Sequence, residues 1–167
     1  MVGRLYPVPC PDAAGRLALS ACPPGGRRLA STLAAWAEGG IDDVVSLLTA
    51  AEAAALGVEG EAAACRACGL GFRAFPVPDF GVPSDAQAFT RLARWAAGRI
   101  GAGGGVAIHC RGGIGRSGTL AAAVLILRGH PPGEAVDAVS AARGVPSPET
   151  ARQRAWLRDW GLTLSIV

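Results

Sequence analysis

At 167 residues, half of them hydrophobic and 17% charged, the chain can bury roughly two thirds of its unfolded surface and is too apolar to be a disordered segment. Its formal net charge of +3 is too small to mark a nucleic-acid partner. All sixteen basic residues are arginine, which excludes chemistry that needs a lysine, and no run approaches the ~20 apolar residues of a membrane span.

The opening MVGRLYPVPCPDAAGR carries prolines where a signal peptide needs an apolar core. Five cysteines, an odd number without framework spacing, point to free thiols in a reducing compartment. The expectation is one domain over residues 1–167, cytoplasmic and monomeric, with residues 1–28 forming a strand-and-loop segment packed on it.

Proline and glycine divide the chain into short elements. Residues 16–20 (RLALS) alternate as a strand does. Residues 29–38 predict a helix closed by Gly39 and Gly40, and residues 44–48 (VVSLL) a buried strand. Thr49 and Glu52 have capping-box spacing and open a short helix. A helix over 59–68 ends at Gly69, and a strand over 73–77 runs into the loop PDFGVP. Ser84-x-x-Gln87 is expected to cap a long helix with Phe89, Leu92, Ala93, Ala96 and Ile100 on one face. A buried strand at 106–109 leads through a glycine-rich loop into an apolar helix at 117–127. Two further helices follow, at 134–142 and 149–160. Apolar strands alternating with helices predict an α/β fold, a central mostly parallel sheet of four to five strands flanked by helices.

The loop between the last strand and the apolar helix, in IHCRGGIGRSGT (108–119), sits where such folds bind ligands. Three patterns overlap in it. The Gly113-x-Gly115-x-x-Gly118 spacing matches a dinucleotide fingerprint, but that motif needs an acid at the tip of a second strand, and Asp137 falls in a helical stretch after HPPGE. A nucleotide P-loop needs a lysine, and there is none.

The third pattern, Cys110-x5-Arg116-Ser117, uses every unusual residue. Phosphoryl transfer to a protein nucleophile calls for a group that attacks as an anion and departs readily. A thiolate does both when a helix amino terminus and a nearby cation favour the charged form. Gly112, Gly113 and Gly115 let the backbone amides around Arg111 and Ile114 turn inward as an anion nest. Arg116 supplies a planar fork for two phosphoryl oxygens, and Ser117 can donate a hydrogen bond to the sulfur. No metal or cofactor is required.

HCRGGIGRSGT closely resembles the signature loop of the cysteine-based protein tyrosine phosphatases, in particular the compact dual-specificity branch. Its interior looks most like the kinase-associated phosphatases. The resemblance spans most of residues 40–155, including VVSLL, FPVPDFGVPS and Thr150-x-x-Gln153. It implies a single-domain protein tyrosine phosphatase-like fold and hydrolysis of phosphomonoesters, on phosphotyrosine and on phosphoserine or phosphothreonine, through a phosphocysteine and without a cofactor. The expected partner is a phosphorylated protein or another phosphomonoester, with neither nucleic acid nor membrane.

A phosphatase of this kind must protonate the departing oxygen. Asp79, in a Pro/Gly-bracketed loop after a strand's carboxyl end, is the candidate acid, as the resemblance also implies. Its competitor Asp85 lies near the start of a helix, where an acid simply complements the dipole. His109 precedes the nucleophile, and the resemblance implies that it orients the loop and helps set the thiol pKa. Gln153 resembles the glutamine that positions the hydrolytic water, although the 143–150 segment is one residue longer than the common pattern. Phe80 and Arg111 are expected at the pocket mouth. Cys65-x-x-Cys68, alone on a helix, reads as packing rather than a metal site. Two other classes compete: a rhodanese-like sulfurtransferase, against which Asp79 and the Arg116-Ser117-Gly118 ending argue, and a non-catalytic phosphoprotein-binding module on the same fold.

Overall fold

In the computed structural model, which describes residues 3–164, helices cover both faces of a five-stranded sheet. In chain order the elements are Tyr6–Val8 (β1), Arg16–Ser20 (β2), Arg27–Glu38 (α1), Asp43–Ser46 (β3), Ala50–Ala55 (α2), Glu61–Ala67 (α3), Gly71–Ala74 (β4), Ala86–Gly101 (α4), Gly105–His109 (β5), Arg116–Leu127 (α5), Pro132–Arg143 (α6) and Ala151–Leu164 (α7). Positions 1, 2 and 165–167 of the expected domain lie outside the described residues. Among the described residues no helix is long and apolar enough to cross a membrane.

The strand order is β1-β2-β5-β3-β4, parallel except for β1, which runs antiparallel along β2 at the edge. The expected mostly parallel α/β architecture is therefore present, as a mixed sheet. Every residue of the central strand β5 is buried, as a strand covered on both faces requires. Alternation then sorts side chains between two cores. Leu17, Leu19, Val45, Leu47, Val106, Ile108 and Cys110 share one core with apolar residues of α4–α7. Ala18, Val44 and Ala107 share the other with Leu29, Leu33 and Trp36 of α1 and Cys65 of α3.

The register also lines up three polar residues at the carboxyl end of the sheet. Ser20 and Ser46 are the partners of His109 on either side, and all three are buried. Trp36 lies beside the histidine, with ring centroids 6.5 Å apart, so this row faces α1 and α3. Cys110, one residue on, points to the opposite core.

Several predicted boundaries move. The predicted strand 73–77 is β4 at Gly71–Ala74, because its ladder with β3 starts at the Asp43–Gly71 pair. The bonds from Phe75 N to the Ser46 carbonyl and from Val77 N to the Leu47 carbonyl extend the ladder irregularly. The long helix is capped by Asp85, whose carboxylate accepts from Ala88 N at 2.8 Å, and not by Ser84. β1 escapes prediction because three residues with a central proline carry no alternation; such a strand is tolerated only at an edge.

Candidate active site

β5 ends at His109 and α5 starts at Arg116, so residues 110–115 form the turn between a strand's carboxyl end and a helix's amino end. α5 has no side-chain cap and no acid in its first turn. Its orphan N–H groups and the positive end of its dipole therefore remain for an anion. Cys110 is 3% exposed, and its Sγ lies 3.4 Å from Ser117 Oγ, a contact that lets the hydroxyl donate to a thiolate.

Side chains from outside the loop engage its carbonyls. Arg143, from the last turn of α6, donates through Nε to the Gly113 carbonyl at 2.7 Å and through NH2 to the Gly112 carbonyl at 3.2 Å. Ser147 Oγ donates to the Ile114 carbonyl at 2.6 Å. The turn is pressed against β2 as well: Cys22 N donates to the Arg111 carbonyl, and Gly113, at φ +69, leaves no room for a Cβ beside the Ser20 carbonyl. Gly113, Gly115, Arg116 and Ser117 are buried, Ile114 is half-buried, and Arg111 and Gly112 are exposed at the rim.

Arg116 is 3% exposed and almost saturated. Glu52 grips it end-on, accepting from NH1 at 2.8 Å and NH2 at 2.9 Å. NH1 also donates to the Val77 carbonyl at 2.8 Å, and NH2 to Asp79 Oδ1 at 2.8 Å. The Arg116 guanidinium holds the Glu52 carboxyl at about 2, well below its ordinary 4.5, the hydrogen bond from Arg116 outweighing the opposing effect of burial. In turn, burial works against the Arg116 charge, but Glu52, Cys110 and Asp79 together push its pKa up. A bidentate, charge-assisted pair of this kind fixes the plane of the guanidinium.

Asp79 reaches Arg116 from a tight turn in which Gly81 N donates to the Pro78 carbonyl at 2.8 Å. Phe80 occupies the turn's third position at φ 56, a conformation that normally selects glycine or asparagine. Its amide donates to Asp79 Oδ1 at 3.1 Å, and the residue is 60% exposed.

Gln153 is fully buried against the loop, so close to Gly115 that an added Cβ would meet its amide at 2.8–2.9 Å. Its Oε1 accepts from Thr150 N at 3.2 Å and its Nε2 donates to the Gly81 carbonyl at 3.1 Å, so it ties the acid-bearing turn to the signature loop. T-shaped contacts of Phe89 with Trp156 and Trp160, at 4.9 and 5.5 Å, seat α7 in this position.

The fold thus brings Cys110, Arg116, Ser117, Asp79 and Gln153 together, with Phe80 and Arg111 at the rim, while the His109 side chain lies on the opposite face of the sheet and meets the site through the Cys110 carbonyl. Asp85 is spent as a helix cap. Cys65 packs inside the second core and Cys68 is half-buried beside it. Among the described residues no group of three metal-ligand side chains exists. Sequence reasoning missed Glu52, Arg143 and Ser147 as site residues. Only Glu52 carried a signal: its capping box forms as expected, with Oε2 accepting from Thr49 N at 3.0 Å, and the same carboxylate then clamps Arg116.

Comparison with known proteins agrees with this geometry. Residues 21–130 match the family model of polymorphic toxin system DSP-PTPase phosphatases. No curated protein sequence matches. Among solved structures, the active form of Tk-PTP is 31% identical at a TM-score of 0.73, covering 91% of this chain and 97% of its own. Kinase associated phosphatase (KAP), carrying a serine in place of its catalytic-site cysteine, superposes over 100% of this chain and 98% of its own at a TM-score of 0.86 and 22% identity. Human DUSP28 covers 96% of this chain and 95% of its own at 0.69 and 20%. These last two share the fold. The family match and the Tk-PTP identity, set beside the Cys110–Arg116 loop, show that the chain belongs to the DSP-PTPase family of cysteine-dependent dual-specificity phosphatases.

Proposed function

We propose that the chain removes phosphate from phosphoproteins, on phosphotyrosine and on phosphoserine or phosphothreonine, with each site residue in a distinct role. The Cys110 thiolate attacks phosphorus; an S–P bond forms as the P–O bond to the alcohol or phenol breaks, and Asp79 gives its proton to the departing oxygen. Arg116 and the loop amides hold the equatorial oxygens. Water then attacks the phosphocysteine and yields its proton to Asp79. Inorganic phosphate leaves, and Cys110 returns as a thiolate stabilised by Ser117. Gln153, joined to both the acid-bearing turn and the loop, orients that water.

The observation that carries this reading is the sulfur of Cys110 at the uncapped start of α5 with Arg116 fixed by Glu52. A sulfurtransferase has no use for the acid-bearing turn, and a binding module has none for an acid within reach of the phosphoryl-binding arginine. Cys110→Ser tests the assignment: p-nitrophenyl phosphate hydrolysis should fall to background while tungstate still binds, and retained turnover would refute it. Thiosulfate:cyanide transfer by the unsubstituted protein would instead favour the sulfurtransferase.

For substrate class, a panel of phosphotyrosyl, phosphoseryl and phosphoinositide substrates decides. The favoured class is singly phosphorylated protein, because Arg111 is the exposed cation of the loop besides the clamped Arg116. A monomer in the cytoplasm completes the proposal; the five free thiols suit a reducing compartment. Sedimentation mass and cell fractionation test these two points.

A further inference from the structure

Glu61 is the first residue of α3, a position where a carboxylate usually stays in water and complements the helix dipole. Here it is turned inward and 2% exposed. Its Oε1 lies 2.8 Å from His109 Nε2, with both side chains buried. The oxygen sits off the line of the ring N–H, so the contact is ionic in character rather than an aligned hydrogen bond, and neither atom has another partner. The other ring nitrogen, Nδ1, meets the backbone carbonyl of Cys110 at 3.4 Å. An oxygen acceptor therefore lies close to each ring nitrogen. A singly protonated ring beside an ionised Glu61 would set a lone pair against one of them; the doubly protonated ring sets none.

The geometry points to Glu61 as a positioning residue for phosphoryl transfer: its buried carboxylate keeps His109 protonated on both nitrogens, so that a positive charge lies against the backbone of the nucleophile. This rests on Cys110 being that nucleophile. Removing a carboxylate from water is costly unless a partner compensates it. An apolar side chain at the start of α3 would serve packing better, so a packing role does not account for the choice of residue.

The other positive groups near the sulfur, Arg116 and the amino terminus of α5, lie on its own side of the sheet. Glu52 and Asp79 are both engaged by Arg116, and Arg111 is exposed. Burial, the largest cause in each case, pushes the thiols of Cys22 and Cys65 up to about 12, with the Glu61 charge adding to it. These two thiols stay neutral beside the pair. The sign of the effect is diagnostic. Acting through the ring, Glu61 favours the Cys110 thiolate; acting directly, as a like charge, it would oppose it.

The test is Glu61→Gln, with iodoacetate alkylation followed on the Cys110 peptide across pH and with kcat/KM profiles for p-nitrophenyl phosphate. Alkylation below neutral pH should slow about tenfold, the thiolate loss of one unit in the thiol's midpoint, and the acid limb of kcat/KM should move to higher pH. The thermal midpoint should fall, because a buried imidazolium loses its partner. His109→Asn combined with Glu61→Gln should be no slower than His109→Asn alone. Unchanged or faster alkylation, or additive losses, would overturn the proposal.

Should Glu61→Gln not fold, the ring 15N shifts of His109 in the unsubstituted protein still decide. Two protonated nitrogens support the proposal; a neutral ring, its proton residing on Glu61, defeats it. Failure of the nucleophile assignment would look different: Cys110→Ser would retain turnover whatever Glu61 did.

Discussion

Asp79 Oδ1 sits 2.8 Å from NH2 of Arg116, so the candidate acid rests on the guanidinium that must grip the phosphoryl group. With NH1 already shared between Glu52 and the Val77 carbonyl, an oxyanion gripped through two N–H groups takes Nε and displaces Asp79 from NH2. Substrate binding therefore frees the acid, and the resting ion pair competes with the substrate for one edge of the arginine.

Replacing the acid should consequently separate binding from chemistry. Asp79→Asn is expected to lower kcat by ~10²–10⁴ and to abolish the alkaline fall of the kcat profile, since that fall reports loss of the donated proton. Tungstate should bind the variant several-fold more tightly, because a competing carboxylate has gone. Asp85→Asn is the control: asparagine caps a helix about as well as aspartate, so its kcat should stay within about twofold. If Asp85→Asn carries the large loss instead, the acid is misassigned.

Glu52 links the arginine to stability. Its carboxyl is held at about 2 in the folded chain against an ordinary value of 4.5. A folded pKa below the unfolded one means that the ion pair stabilises fully above 4.5 and that this contribution fades as pH falls from 4.5 toward 2. Glu52→Ala leaves a buried guanidinium half-paired. It should cost about 3 kcal/mol at neutral pH, flatten acid unfolding over that window, and raise KM as Arg116 loses its fixed plane. Urea melts at a series of pH values are the measurement; a pH-independent loss would show that the pair does not act through charge.

Two adjacent glycines should respond in opposite ways. Gly112 is exposed, with Ile114 Cδ1 at 3.9 Å the nearest atom to an added Cβ, so Gly112→Ala should leave kcat/KM within a few-fold. Gly113 combines φ +69 with backbone of Ser20 in the space a Cβ would need. Gly113→Ala should destabilise by more than about 2 kcal/mol and weaken tungstate binding as the amide ring opens. Equal behaviour of the two variants would contradict the loop geometry.

Phe80 holds a left-handed conformation at φ 56 and is 60% exposed, so packing does not explain its presence. Phe80→Asn suits the turn better and should stabilise the fold by about 0.5–1 kcal/mol. It should at the same time raise KM for phosphotyrosyl peptides more than for phosphoseryl ones, because an aromatic rim side chain stacks on a phenyl ring. A uniform effect on both classes would remove Phe80 from substrate recognition.

The amino-acid sequence by itself determined whatever lies within a few residues along the chain. The nucleophile, nest, arginine and hydroxyl are contiguous from Cys110 to Ser117, so a strand-to-helix turn places them wherever that turn folds. The Thr49–Glu52 capping box is equally local. Asp79 was legible through its proline-bracketed loop.

Only the tertiary structure decided what those groups touch. Glu52 and Arg116 are far apart in sequence, and the carboxylate reaches the guanidinium because parallel pairing of β3 with β5 sets α2 beside the start of α5. Arg143 and Ser147 support the loop because α6 packs on α5 and returns the chain beneath the loop carbonyls. Glu61 meets His109 because alternation along β5 sends the histidine to the face opposite the sulfur, under α3. Periodicity tells which side of an element is buried; it does not tell which distant side chain will share that interior, and for a charged group the partner decides what it does.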